Sequence, residues 1–123
     1  MKAWIQEKFG EPPEVLKWED RESLNPGKGQ IKIRVLGAGL NFPDLLCIQG
    51  KYQVRPDLPF TPGAEAFGIV ETCGEDCRIF QEGDRVMGIA SHGAFAEEML
   101  IDEKQAFQVP ENISPEHASG FLM

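Results

Sequence analysis

Apolar and polar positions alternate most regularly over residues 29–37, GQIKIRVLG, where Ile31, Ile33 and Val35 are interleaved with Lys32 and Arg34. A period of two predicts a strand with one buried face. KAWIQEKF (2–9) and EVLKWED (14–20) are shorter strand candidates, split by Gly10, Pro12 and Pro13. AFGIVETCG (66–74), RVMGIA (85–90), AFAEEMLI (94–101) and AFQVP (106–110) follow, with NPGKG, EGDR and SHG as turns between elements. Roughly seven or eight short strands at this spacing predict a mainly β barrel or sandwich. Gly68 and Gly88 fall inside strands and predict bends or bulges, hence a curled sheet.

Two segments break the alternation. FPDLLCIQ (42–49) has Pro43 near its start and Gly50 after its end, which predicts about two turns of helix. At the C-terminus, Ser114 suits an N-cap, Pro115 the first helical position and Glu116 the positive end of the dipole. That helix is expected to lead into a further domain, because its apolar end, Phe121-Leu122-Met123, has no capping residue.

Composition narrows the class. A chain of 123 residues with 41% hydrophobic content builds one packed domain. A net charge of −8 argues against nucleic acid or an anionic membrane as partner, since both need clustered Lys and Arg. No apolar run approaches the ~20 residues of a membrane span. Three cysteines do not suggest a disulfide framework, and a cytoplasmic setting is the expectation.

Several apparent motifs carry little chemistry. GAGLNF (37–42) follows a strand, but Phe42 stands where a dinucleotide fingerprint has its third glycine, and the helix after it is too short for a crossover. The two glycines are expected to let the strand turn sharply. Cys73 and Cys77, in CGEDC, have no second pair and read as thiols on a turn rather than a zinc site. Cys47 reads as a core residue, and His92 and His117 as solvated. Asn41, Asp44, Tyr52 and Glu65 remain. Asn41 is either a helix cap or one wall of a reaction site, and Asp44 favours the start of the same helix. Tyr52 is either a surface aromatic or a pocket residue, and Glu65, among small residues, needs a partner if buried.

AGLNFPDLLCIQGKY, PFTPGAEAFGIVETCG and EGDRVMGIASHGAFAEEMLI, in that order, resemble the N-terminal domain of the medium-chain dehydrogenase/reductase superfamily. Within it they are most similar to the zinc-free quinone oxidoreductase branch related to zeta-crystallin. The resemblance implies that residues 1–123 form a GroES-like, partly open β-barrel with short helices. It implies a substrate-side domain, with NADPH held mainly by a following Rossmann domain. Zinc-dependent relatives carry cysteine where this chain has Asn41 and histidine where it has Ala64, so zinc is not expected.

By the same resemblance, Asn41 and Tyr52 are the expected catalytic and cofactor-binding residues, while a second tyrosine of some relatives falls at Leu46. The implied reaction is zinc-independent hydride transfer from NADPH to a quinone or enone. The full-length enzyme is expected to be a homodimer, and the 123-residue chain alone to be inactive. The alternatives are an enoyl thioester reductase of the same superfamily and a free-standing GroES-like binding module.

Overall fold

A computed structural model of the chain describes residues 1–114. The C-terminal helix expected after Ser114, and His117 with it, lie outside the described residues. The order of elements is β1 (Lys2–Ile5), α1 (Pro12–Val15), β2 (Lys17–Asp20), β3 (Gln30–Gly39), α2 (Phe42–Gln49), β4 (Glu65–Cys73), β5 (Arg85–Ile89), β6 (Glu98–Asp102) and β7 (Ala106–Gln108). A short 3₁₀ turn, Glu103–Gln105, joins β6 to β7.

β3 is the strand that the alternation marks most clearly, and it is the spine of a five-stranded antiparallel sheet in the order β6-β3-β4-β5-β7. Ile31 and Ile33 are fully buried and meet Val70, Val86, Met99 and Ile101 in one core cluster. Burying each such side chain contributes about 1.5–3 kcal/mol. β6 and β7 lie at opposite edges of the sheet, yet the 3₁₀ turn alone links them. Four residue steps span at most about 14 Å, so the sheet must curl until its edges approach. Gly88 on β5 shows the result: an added Cβ would stand 2.9 Å from Ile101 Cδ1 on β6. The edges do not pair, and the barrel stays partly open.

The curl has a local origin. The β3–β4 register slips between Lys32 and Ile33 and again between Val35 and Gly37. Opposite the second slip sits Gly68, where a Cβ would lie 2.2 Å from the Arg34 carbonyl oxygen. Only glycine lets the two backbones come this close. Gly37 and Gly39 do not end the strand in a sharp turn, as the sequence suggested. β3 runs through both, and the bulge beside Gly37 supplies the bend.

Two strand boundaries also differ from expectation. EVLKWED is not one strand: Pro12 and Pro13 start a single helical turn, and pairing begins only at Lys17, opposite Ile5. Proline fits the first turn of a helix because its missing N–H is not needed there. Residues 94–97 precede β6 and bond partly to β1, with Trp4 N–H donating to the Phe95 carbonyl at 2.9 Å and Glu97 N–H to the Lys2 carbonyl at 2.9 Å, while the Ala94 and Phe95 N–H groups donate to the Gly63 and Pro62 carbonyls. They attach the two-stranded β1–β2 sheet to the barrel. Cys73 ends β4 and Cys77 follows the turn after it, and both pack on the core. Burial pushes the Cys77 thiol up to about 11, with Glu103 beside it adding to the shift.

A strap ahead of β3 is held by Glu98, which accepts from Ser23 Oγ at 2.9 Å and from Leu24 N–H at 2.9 Å, with Lys32 Nζ 3.9 Å away. Burial raises the Glu98 carboxyl, but Leu24, Ser23 and Lys32 outweigh it and hold the group below its ordinary 4.5. A carboxyl depressed in the folded state adds stability above its unfolded pKa, and this is lost as pH falls through the folded value. Glu98→Gln should therefore lower Tm at pH 7, and the gap to wild type should close below about pH 4. Gly68→Ala should cost 3 kcal/mol or more, roughly, since backbone must move; denaturant titration checks it.

Candidate functional site

α2 is built to hold its first residues still. Asn41 is the N-cap, with extended backbone at φ −128° and ψ 159°. Its N–H donates to Asp44 Oδ2 at 2.8 Å, and the Asp44 N–H donates back to the Asn41 carbonyl at 3.0 Å. Asp44 is 3% exposed and also accepts from the Ala64 backbone. Its carboxylate thus joins the start of α2 to the residue just before β4. Burial raises the Asp44 carboxyl above its ordinary value, while the Asn41 and Ala64 N–H groups pull the other way.

The far end of α2 is held as firmly. Gly50 takes the left-handed conformation, φ 74°, and closes the helix with Gly50 N–H donating to the Cys47 carbonyl at 3.1 Å. Gln6, fully buried, donates from Nε2 to the carbonyls of Ile48 and Lys8, both at 3.0 Å. Its backbone pairs in both directions with Phe60, at 3.0 and 3.1 Å. Sequence reasoning passed over Gln6. It follows inward-facing Ile5 in a short strand, so alternation would turn it to solvent.

Against this frame Asn41 Nδ2 donates to Glu65 Oε1 at 3.1 Å. Glu65, 1% exposed, begins β4 opposite Gly39 and Ile89. Its other oxygen, Oε2, is buried with no hydrogen-bond partner. So Asn41 is both a cap and a partner of a buried acid, and the two readings of this residue are compatible. Leu40 and Phe42 on either side of it are 77% and 69% exposed, leaving the amide beside an apolar, solvent-facing surface. Tyr52 is half-buried and lies beyond the other end of α2, about 12 Å of helix from Asn41. His92 sits on the exposed loop after β5, its Nδ1 2.8 Å from Ser91 Oγ and its ring edge-on to Phe60. Among the described residues, no three His, Cys, Asp or Glu side chains gather as a metal site would require.

A curled five-stranded sheet with a short helix capped by an amide beside a buried acid defines a mainly β domain of the GroES-like class. The model of the alcohol dehydrogenase GroES-like domain matches residues 27–111, and the chain belongs to that family. Quinone oxidoreductase-like protein 2 of Mus musculus is 41% identical over 93 residues, which cover 76% of this chain and 27% of that protein. The crystal structure of the human synaptic vesicle membrane protein VAT-1 homolog-like protein superposes with a TM-score of 0.91 at 34% identity, over 97% of this chain and 38% of that one. The Escherichia coli quinone oxidoreductase complexed with NADPH gives a TM-score of 0.86 at 30% identity, over 97% and 36%. The chain thus spans about a quarter of the length of the curated relatives it matches.

Replacing Asp44 by Ala would strand two backbone N–H groups and should cost about 3 kcal/mol in denaturant titration. Asp44→Asn, which keeps an oxygen there, should cost less; an unchanged midpoint for Asp44→Ala would contradict the bracing role.

Proposed function

We propose that this domain is the substrate side of a cytoplasmic, NADPH-dependent quinone or enone reductase that works without zinc. The observation that carries the reading is the Asn41–Glu65 pair at the start of α2, in a chain of the GroES-like family. Relatives named as quinone oxidoreductases, one of them an NADPH complex, support it. A tetrahedral zinc needs thiolate, imidazole or carboxylate donors. A carboxamide engaged with the acid, and Ala64 next to it, do not supply them.

The residues around Asn41 suit an uncharged ring. Exposed Leu40 and Phe42 offer apolar surface beside the Asn41 carboxamide, a type of group that can donate as well as accept. When bound, NADPH would supply the hydride, held mainly by a Rossmann domain outside residues 1–123. The chain's own part is to orient the acceptor against that apolar surface and to stabilise charge developing on its oxygen. We assign this role to Asn41, and Tyr52 to the outer end of the same pocket. Acceptors already electrophilic, quinones and conjugated enones, need no Lewis acid.

In the full-length enzyme, Asn41→Ala should lower kcat/KM for NADPH-dependent quinone reduction about tenfold or more, as for a lost hydrogen bond to developing charge. Tyr52→Phe should have a smaller effect. Unchanged steady-state kinetics in Asn41→Ala would overturn the assignment, and one zinc per chain by elemental analysis would overturn the metal-free reading. The 123-residue chain alone should show no NADPH-dependent quinone reduction.

A further inference from the structure

The Asn41–Glu65 pair has an unusual balance. Glu65 is 1% exposed, receives one hydrogen bond from Asn41 Nδ2, and leaves Oε2 buried without a partner. A buried carboxyl kept only for stability would have both oxygens satisfied, because each unmet polar atom costs free energy. Capping α2 does not require Glu65: the Asn41 side chain and Asp44 form a capping box, in which Asp44 accepts the Asn41 N–H at 2.8 Å. The bond to Glu65 works with the cap: an N-cap amide turns its oxygen toward the first helix N–H groups, and Glu65 holds the nitrogen end from the other side. A carboxylate only accepts, so Nδ2 must face Glu65 and Oδ1 must turn away from it.

From this we propose that Glu65 is a positioning residue that sets which way the Asn41 carboxamide faces in the reductase pocket. The register enforces the geometry. Glu65 opens β4 opposite Gly39, two residues before Asn41, and Asp44 ties the Ala64 backbone to the same helix start. Glu65 and Asn41 therefore cannot drift apart without breaking the sheet end. For its kinetic test alone, the inference rests on the quinone reductase reading given above.

The first measurement needs no activity. The chain has three asparagines and seven glutamines, and the side-chain amide protons of Asn41 are identified by ¹⁵N–¹H NMR as the pair missing from Asn41→Asp. In wild type one Nδ2 proton should be shifted downfield and protected from exchange. In Glu65→Gln, whose side chain can both donate and accept, the shift and protection should be lost. The second measurement is a swap: Asn41→Asp should destabilise by opposing two acids, and Asn41→Asp with Glu65→Gln should recover the melting temperature by restoring an amide–carboxylate pair.

If Glu65 sets the sense of the amide, the full-length swapped enzyme should remain at least about tenfold down in kcat, with NADPH KM nearly unchanged. Unchanged Asn41 signals in Glu65→Gln, or recovery of kcat in the swapped enzyme, would overturn the proposal. Wild-type enzyme that reduces neither quinones nor enones would overturn the functional reading, leaving the NMR result to decide on Glu65.

Discussion

The site depends on one buried carboxylate. Asp44 sits where desolvation penalises its charge, and it accepts there from the N–H of Asn41 and from the Ala64 backbone. Those two donors belong to different elements, the start of α2 and the entry to β4. Remove the carboxylate and nothing else described in the molecule ties these segments side chain to backbone at that point. Because charge-assisted hydrogen bonds are stronger than neutral ones, a single acid can fix the relative position of two elements at a modest net gain in stability. What it secures is geometry: Asn41 and Glu65, 24 residues apart in sequence, are held 3.1 Å apart.

The barrel serves the same end on a larger scale. Register slips in β3 and the close backbone approach at Gly68 bend the sheet, and the short link from β6 to β7 draws its two edges toward each other. Strand pairing puts the ends of β3, β4 and β5 together, so that Gly39, Glu65 and Ile89 lie side by side in register. Gln6 fastens the opposite end of α2, and Phe60 with it, to the first strand.

Much of this could be read in advance where a residue's neighbours along the chain decide its environment. Ile31, Ile33 and Val35 alternate, and β3 followed. Pro43 and Gly50 bound α2 because one lacks a donor and the other adopts positive φ. Reading failed where a partner distant in sequence decided the outcome. Residues 94–97 look like strand but divide their hydrogen bonds among β1, β3 and the Pro62–Gly63 loop, and Gln6 is buried against the order of alternation because Ile48, Lys8 and Phe60 meet it. The bulge at Gly37 replaced an expected turn, since pairing with β4 holds the strand extended to Gly39.

The sequence by itself determined the elements and the kinds of side chain at the site: local hydrophobic period, proline and glycine act over a few residues and can be read directly. It also determined that an amide and two acids would be available. Tertiary structure alone decided that Asn41 faces Glu65, that Asp44 braces the backbone ahead of β4, and that one oxygen of Glu65 is left unmatched. Those facts depend on strand register and sheet curvature, which sum many weak distant contacts and leave no trace in any short stretch of chain.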